Sequence, residues 1–399
     1  MRFQETSTMN VSRRAFLRTV AGGTALAVTG AAQTVLSGYA HAADLPGEDA
    51  SRAALARIQA QRLIIDVHEH LESSRLSSKY LRIMDELGIG RMCLMGSSQF
   101  TLTMNERVGF TGYDENNSEL RASVEAHPGR FEAWATVNPG DPGKLEKFIG
   151  EVERGATGLK LYLGHGYVTR RQTYMFHTLA MDDPEMLPLY AHCQERFIPV
   201  CIHVNPYAGK PGFAEELIAV LTAYPDMKVN CPHFMLSSIR SSRLEEFLDT
   251  FPNLYTDMSF GDSFAATGLT RISNDAQRFQ RLFAQYPERI MFGTDLVLTS
   301  QPGKTEQWIR EQTTAYLEML SKRTYTTPVA RGQTLNGLAL PPALLERVLY
   351  KNYLEFSAKR PAGTVITRRI NFARLGVDPT GRTPGQAFPP TPGAQQLSG

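Results

Sequence analysis

The sequence predicts an α/β protein of the (β/α)8 class, a barrel of the TIM type. Apolar, β-branched runs typical of strands alternate with amphipathic runs typical of helices from residue 51 to about residue 356. Eight such strands with helices between them, over roughly 250 residues, match the size of this barrel. The alternative is an open, doubly wound sheet. It normally carries a glycine-rich phosphate loop after its first strand, and residues 68–72 (His-Glu-His-Leu-Glu) contain no glycine.

Each predicted strand is a short run of apolar and β-branched residues between turn residues. In chain order the eight strands are predicted at Leu63–His70, Arg91–Gly96, Phe131–Asn138, Gly158–Leu163, Pro199–Asn205, Lys228–Phe234, Leu254–Phe260 and Arg289–Leu296. Helices are predicted where apolar residues recur every three to four positions. They include Lys79–Leu87, Lys144–Arg154, Ala214–Ala223, Ser242–Thr250, Asn274–Gln285 and a closing helix at Pro342–Phe356.

Two longer segments interrupt the alternation. Residues 97–120 and residues 164–190 are predicted to form loops over the barrel mouth, where active-site loops follow the carboxyl ends of the strands. Near the end of the chain proline, glycine, arginine and threonine dominate. The sequence therefore predicts a targeting segment at 1–42, a barrel domain at 43–358 and an irregular Pro/Gly-rich arm at 359–399.

The first 42 residues carry the three parts of a twin-arginine signal peptide in order. Residues 12–18 (SRRAFLR) contain the arginine pair, a weakly apolar stretch follows to about residue 32, and residues 40–42 (Ala-His-Ala) fit a cleavage site. The apolar stretch is too short to span a bilayer permanently. We therefore expect recognition by the twin-arginine export machinery, a periplasmic location without a stable membrane anchor, and a mature protein that begins near Ala43. A disordered start followed by a short helix is the alternative.

Charge and cysteine content narrow the classes of function. Without the first 42 residues, 38 basic residues stand against 39 acidic ones, so nothing predicts a nucleic-acid partner.

The four cysteines, Cys93, Cys193, Cys201 and Cys231, form no Cys-x-x-Cys pair, and three of them lie in predicted strands. Buried free thiols are the preferred interpretation, although a periplasm also permits a disulfide.

His68 and His70 end the first predicted strand. Because side chains alternate across a strand, these two and Asp66 are predicted to share one face. Two imidazoles on one face can bind one metal ion together. Asp66 is predicted to hydrogen-bond in the barrel floor rather than to bind the ion. The pair alone is a weak signal, and it gains weight from residues further along the chain.

Four more side chains suited to a metal site lie at or near the carboxyl ends of later predicted strands. They are Lys160 in strand four, His203 in strand five, His233 in strand six and Asp295 in strand eight. These strand ends meet above the core of a barrel, so the side chains are predicted to converge on one point. Neutral imidazoles and a carboxylate can hold a divalent ion, and water on an open position of that ion reaches a pKa of about 7.

This ordered set resembles that of the amidohydrolase superfamily. Within it, the set is similar to the amidohydrolase-related branch that includes aminocarboxymuconate-semialdehyde decarboxylase, aromatic-acid decarboxylases and lactonases. The resemblance spans about residues 61–358 and includes the Tyr-Lys-Asn stretch at residues 350–352. It implies a distorted barrel of the metal-dependent hydrolase type with one divalent ion, usually zinc. The implied ligands are His68, His70, His203 and Asp295, and His233 would be a catalytic or supporting group that polarises the substrate.

Several of these residues have a second interpretation. The resemblance covers enzymes in which a carboxylated Lys160 would bridge two metals and others in which it would not, and a single ion is the prediction. Strand histidines such as His203 and His233 are in general more often core residues than ligands, and Asp295 also fits a helix N-cap. His165, which follows strand four, is predicted to approach the substrate, and an exposed turn histidine is an equal alternative.

Three functions fit these observations. The leading prediction is a metal-dependent hydrolase of a small amide, lactone or ester, in which Asp295 takes a proton from metal-activated water and His233 stabilises the oxyanion. The alternative is non-oxidative decarboxylation of an aromatic or dienoic acid on the same site, where no water need attack. The third is a periplasmic metal- or solute-binding protein without turnover. The expected partner is a small molecule, and the sequence leaves monomer and homo-oligomer open.

Overall fold

The computed structural model of the chain describes residues 47–103, 110–163, 166–168, 173–175, 179–204, 212–236, 241–261 and 264–358. All of them belong to the unit that runs from Pro46 to Gly399. The predicted signal peptide at 1–42, the predicted arm at 359–399 and His165 lie outside the described residues. Among the described helices, none has both the length and the apolar character needed to cross a membrane.

The described residues form a barrel of eight parallel strands and two antiparallel hairpins. Numbered along the chain, the strands are β1 (Ile64–Glu69), β2 (Ile89–Met95), β3 (Phe131–Thr136), β4 (Gly158–Leu161), β5 (Gly166–Val168), β6 (Thr173–Met175), β7 (Val200–Ile202), β8 (Val229–Asn230), β9 (Leu254–Asp257), β10 (Ile290–Met291), β11 (Thr324–Thr327) and β12 (Gln333–Asn336). The barrel order is β1-β2-β3-β4-β7-β8-β9-β10, and the hairpins are β5-β6 and β11-β12. Each predicted strand overlaps one barrel strand, so the predicted fold class is confirmed.

Hydrogen bonds between the first and the last barrel strands nearly close the barrel. The amide of Val67 donates to the carbonyl of Phe292 at 3.0 Å, and the amide of Asp295 donates to the carbonyl of His68 at 2.7 Å. These bonds lie towards the carboxyl end of β1. They therefore place the segment that follows β10 directly beside the His-x-His pair.

The described helices lie before, between and after the barrel strands. They are α1 (Glu48–Ala60), α2 (Ser77–Leu87), α3 (Gln99–Thr103), α4 (Tyr113–Ala126), α5 (Lys144–Glu153), α6 (Leu187–Arg196), α7 (Gly212–Ala223), α8 (Ser241–Thr250), α9 (Ala265–Asn274), α10 (Ala276–Gln285), α11 (Glu306–Ser321), α12 (Pro342–Glu346) and α13 (Asn352–Ser357). A π-helical turn at Arg347–Lys351 joins α12 to α13 within the predicted closing helix. The sequence did not predict α1 or α11, and the helix predicted at Asn274–Gln285 is α10 preceded by a separate α9.

The prediction of a loop at residues 97–120 was wrong, because this segment contains α3 and most of α4. Asn116 and Asn117, which suggested a loop, are buried. The side-chain amide of Asn116 donates to the carbonyl of Leu71 at 2.8 Å, and that of Asn117 donates to the carbonyl of Thr136 at 2.8 Å. The polar residues of α4 thus tie the helix to the strand ends. Of the loop predicted at 164–190, the described part holds the β5-β6 hairpin and the start of α6.

Apolar side chains fill the inside of the barrel beneath the strand ends. Residues from five barrel strands and α13 form this cluster: Ile65, Val67, Cys93, Met95, Trp134, Cys201, Met291, Tyr353 and Phe356. A larger apolar layer packs the strands against the helices. All four cysteines are buried and free, as predicted.

Candidate metal centre and active site

Three predicted metal ligands meet at the carboxyl ends of the barrel strands. The Nε2 atom of His70 lies 3.3 Å from Oδ1 of Asp295, and Nε2 of His68 lies 3.8 Å from the same oxygen. The ligand atoms of these three side chains all lie within 4.8 Å of one another, and all three residues are buried. The described residues therefore include a group that can hold a divalent cation.

The hydrogen bonds of the two imidazoles determine which ring nitrogen carries a proton. Nδ1 of His70 lies 2.9 Å from the carbonyl of Met95, and Nδ1 of His68 lies 3.0 Å from Oδ2 of Asp257. Both partners are acceptors, so each Nδ1 donates its hydrogen. The Nε2 atoms of both rings then present lone pairs to the carboxylate of Asp295.

Lone pairs that face a carboxylate oxygen at these distances repel it, and a cation between them would relieve that repulsion. Burial, followed by the charge of Lys160, lowers the pKa of His68 to about 4 and holds the pKa of His70 well below its ordinary value. A proton on either Nε2 is therefore disfavoured at neutral pH. A divalent cation fits the donor set, because neutral imidazoles and a carboxylate are common ligands of such ions.

A register shift in the β1-β2 pairing between Asp66 and Glu69 interrupts the alternation of side chains. Asp66 accepts a hydrogen bond from the hydroxyl of Thr294 at 2.6 Å and another from the amide of His68 at 3.2 Å. Glu69 accepts one from the amide of Leu296 at 3.0 Å. Asp66 is thus used for hydrogen bonding, and the two acids hold the residues on both sides of Asp295.

The backbone of Asp295 is in the left-handed region, with φ of 56°. This conformation is uncommon for residues other than glycine, asparagine and aspartate, and it persists only where the surroundings impose it. The bonds of the β1 acids to Thr294 and Leu296, and the bond from the Asp295 amide to His68, provide that constraint. The catalytic carboxylate predicted from the sequence is therefore held by β1 itself.

His233 lies in a turn that directly follows β8 and faces the same carboxylate. His233, Phe234 and Met235 all have positive φ, so Pro232–Leu236 is a left-handed turn and not an ordinary helix. Nδ1 of His233 lies 3.0 Å from the carbonyl of Ser259, which makes this nitrogen a donor. Nε2 lies 3.7 Å from Oδ2 of Asp295. Burial, followed by the charge of His68, lowers the pKa of His233 to about 3, so its Nε2 presents a lone pair.

Lys160 lies beside the metal-ligand group. It is fully buried, and its Nζ is 3.0 Å from Nε2 of His68 and 3.5 Å from Sγ of Cys201. The same Nζ lies 5.0 Å from the centroid of the Tyr162 ring. Within the part of the chain that the structure describes, no carboxylate forms an ion pair with Lys160. An amine in such a place is a candidate binding group for an anion.

His203 is near this group but not among its closest members. Its ring centroid lies 4.9 Å from that of His233 and 5.8 Å from that of Tyr162, and the residue is half-buried. The group with all ligand atoms within 4.8 Å contains His68, His70 and Asp295. The role of His203 as a ligand stays a prediction, and so does the role of His165, which lies outside the described residues.

Asp257, at the end of β9, is the residue that the sequence analysis missed. With His68 and His233 it forms a second group whose polar atoms lie within 4.8 Å of one another. The available signal was an aspartate in the middle of the run predicted as a strand at Leu254–Phe260, between Thr256 and Met258. An acid in such a run is buried, and a buried acid requires partners.

Comparison with known proteins points to one family. A family model described as amidohydrolase matches residues 65–352. The 2,6-dihydroxybenzoate decarboxylase from Rhizobium is 14% identical, with a TM-score of 0.45, over 74% of this chain and 98% of that one. The 5-carboxyvanillate decarboxylase from Sphingomonas paucimobilis is 12% identical, with a TM-score of 0.45, over 74% of this chain and 99% of that one. The dihydroxybenzoic acid decarboxylase from Polaromonas, solved with bound manganese, is 15% identical, with a TM-score of 0.45, over 74% of this chain and 96% of that one.

Likeness at this level assigns neither an activity nor a metal to the present chain. No curated protein matches the sequence.

Proposed function

The chain belongs to the amidohydrolase family, and from this membership and the geometry of the site we propose a metal-dependent enzyme that removes carbon dioxide from a small carboxylic acid. The acid would be aromatic or dienoic, because loss of carbon dioxide leaves an electron pair on carbon that a conjugated system can delocalise. The carbon–carboxylate bond breaks, and a proton takes the place of the carboxylate. No oxidant is required.

The environment of Lys160 is the observation that carries the proposal. A lysine side chain offers up to three N–H donors and no acceptor. A bound cation would occupy Nε2 of His68, which leaves Cys201, at 3.5 Å, as the remaining hydrogen-bond partner of Nζ among the described residues, and a thiol is a weak acceptor. A substrate carboxylate would satisfy the buried amine, whereas a neutral amide, lactone or ester would do so less well.

His68, His70 and Asp295 would hold the cation, with His203 as the fourth ligand that the sequence predicts. We propose one ion per chain and zinc as its identity, because imidazole and carboxylate ligands suit zinc. A divalent cation bound there would polarise substrate oxygens and lower the pKa of bound water.

Asp295 and His233 are proposed to move the proton. Oδ2 of Asp295 and Nε2 of His233 are 3.7 Å apart and both are acceptors, so a proton taken up by one atom lies close to the other. Because Nε2 of His233 presents a lone pair, the proton would come from water, and Asp295 and His233 would take it up and deliver it to the substrate carbon as carbon dioxide leaves. The constrained backbone of Asp295 keeps the donor in place.

Hydrolysis of a small amide, lactone or ester is the second candidate. The observation that favours it is the same Asp295–His233 pair, because an unprotonated Nε2 beside a carboxylate is also a suitable general base for water. The two candidates differ in what happens to water and to carbon dioxide.

The deciding experiment offers the metal-loaded protein aromatic and dienoic acids, lactones, esters and amides. Carbon dioxide release is followed together with deuterium uptake from heavy water and oxygen-18 uptake from labelled water. Decarboxylation predicts carbon dioxide and one deuterium at the carbon that carried the carboxylate. Oxygen-18 in the product without carbon dioxide would replace this proposal by hydrolysis.

Replacing Lys160 by methionine is expected to raise KM for an acid substrate about 10- to 100-fold. A hydrogen bond to a charged group contributes about 1.5–3 kcal/mol, and methionine keeps the apolar length of the side chain without the donors. Cation binding should persist, because Lys160 is not among the proposed ligands. Steady-state kinetics and metal analysis measure the two effects.

Lys144→Met is the matched control, since Lys144 is also buried but is paired with Glu185 at 3.5 Å. Equal KM values for Lys160→Met and Lys144→Met would show that Lys160 does not bind the substrate. A carbon dioxide adduct on Lys160 together with two ions per chain would instead indicate a bridged pair of metals.

We also propose that residues 1–42 direct the protein to the periplasm through the twin-arginine route. This proposal rests on the ordered signal in the sequence. Replacing Arg13 and Arg14 by lysine should keep the protein in the cytoplasm at its precursor length. Cell fractionation with immunodetection measures this, and unchanged periplasmic recovery would refute the proposal.

A further inference from the structure

We propose that Asp257 is a shared positioning residue, a single buried carboxylate that orients both His68 and His233 towards Asp295. This inference deepens the proposed function and rests on it, because it assigns one residue to cation binding and to proton transfer together. Asp257 itself would touch neither the substrate nor the cation.

One oxygen of Asp257 serves the metal-ligand side of the site. Oδ2 lies 3.0 Å from Nδ1 of His68, and it accepts a second hydrogen bond from Nδ2 of Asn230 at 2.8 Å. His68, Asn230 and Asp257 are all buried, so water does not compete for these bonds. A carboxylate that accepts the Nδ1 hydrogen of a ligating histidine fixes its tautomer and its ring orientation.

The other oxygen serves the proton-transfer side. Oδ1 accepts hydrogen bonds from the backbone amides of His233 at 3.2 Å and of Ser259 at 3.1 Å, and from the hydroxyl of Ser259. Because the Ser259 hydroxyl donates to Asp257, its oxygen remains an acceptor for Nδ1 of His233, 2.8 Å away. Asp257 therefore orients His233 in two ways, through its backbone and through Ser259.

The carboxylate of Asp257 accepts five hydrogen bonds, so a side chain at position 257 that donates a hydrogen bond would not fit. The three side-chain donors come from His68, Asn230 and Ser259, and the two backbone donors come from residues 233 and 259. An asparagine would replace one acceptor oxygen by an NH2 group, which would face donors on whichever side it lies. Either the His68 bond or the Ser259 bond must then be lost or reversed.

Two variants separate the two roles. Asp257→Asn is expected to weaken cation affinity about 10- to 100-fold, the usual effect of losing the partner of a ligating histidine, and to lower kcat as well. Ser259→Ala removes the hydroxyl beside His233, whose oxygen also lies 3.4 Å from Nδ1 of His68, but it keeps the shorter Asp257–His68 bond of 3.0 Å. It is expected to lower kcat while cation affinity stays at the wild-type value. Competition with a chelator measures cation affinity without any substrate. The control is Asp275→Asn, because Asp275 is an exposed acid between α9 and α10.

A purely structural role for Asp257 predicts a different result, in which the cation-free protein loses thermal stability but retains cation affinity. Wild-type affinity in Asp257→Asn, or an equal loss of affinity in both variants, would overturn the inference. If Asp257→Asn does not fold, nitrogen-15 spectra of the histidines in cation-free wild-type protein decide the matter. They should show hydrogen on Nδ1 of His68 and of His233, and hydrogen on Nε2 of either ring would refute the assignment.

These readouts are independent of the reaction. If no acid is decarboxylated, the proposed function fails, while the affinity and the spectra still test Asp257. If decarboxylation is found and Asp257→Asn behaves as wild type, the proposed function stands without this inference.

Discussion

Replacing His68 and His70 together by alanine is expected to abolish cation binding and turnover while the barrel still folds. The two imidazoles present their Nε2 lone pairs to Asp295 at 3.8 and 3.3 Å, and no single remaining side chain can replace both. Elemental analysis should find one ion per chain in the wild-type protein and none in the variant. The circular dichroism spectrum should be retained, because Asp257 keeps its other donors.

Thermal unfolding gives a second measure of the same effect. A ligand that binds only the folded state at 100 times its Kd stabilises a protein by about 2.7 kcal/mol. A chelator should therefore lower the Tm of the wild-type protein and leave that of the double variant unchanged. The control is His127→Ala with His192→Ala, which removes two half-buried imidazoles outside the site. Full metal occupancy in the His68/His70 variant would show that the cation lies elsewhere.

The barrel could be predicted because its signal is local. The runs around β1, β3, β4 and β9 are short and apolar, and alternation with helices is enough to count eight of them. The amidohydrolase resemblance was carried by the order of the strand-end residues, and the family match confirms it. The prediction of a loop at 97–120 was wrong because of tertiary contacts. Asn116 and Asn117 are typical of loops, but here their side chains donate hydrogen bonds to the carbonyls of Leu71 and Thr136.

The candidate site was predicted less completely. His68, His70 and Asp295 stand at strand ends, where the topology alone brings them together. Asp257 was missed because its proposed role depends on a hydrogen bond with His68, which is 189 residues away in the chain. No spacing rule encodes such a contact, nor the left-handed backbone of Asp295, which depends on acids in β1.

Replacing Asp295 by asparagine is expected to lower kcat by about 10²–10⁴-fold, the usual contribution of general acid–base catalysis. Asparagine tolerates the left-handed region, so the backbone at φ of 56° should be retained. Its amide keeps one oxygen that can face His68 and His70, so part of the cation affinity should remain. It cannot exchange a proton with Nε2 of His233, which lies 3.7 Å from Oδ2 of Asp295.

The loss should appear in kcat more than in KM, because proton transfer takes place in the transition state and Lys160, the proposed binding group for the substrate, is unchanged. Kinetics are measured on the metal-loaded variant, and cation occupancy is measured in the same sample. Together they distinguish a loss of proton transfer from a loss of bound cation. Asp275→Asn, the same chemical change at an exposed position, should keep wild-type kcat and KM. Near wild-type kcat in Asp295→Asn with bound cation would make Asp295 a ligand only, and His233 alone would then have to move the proton.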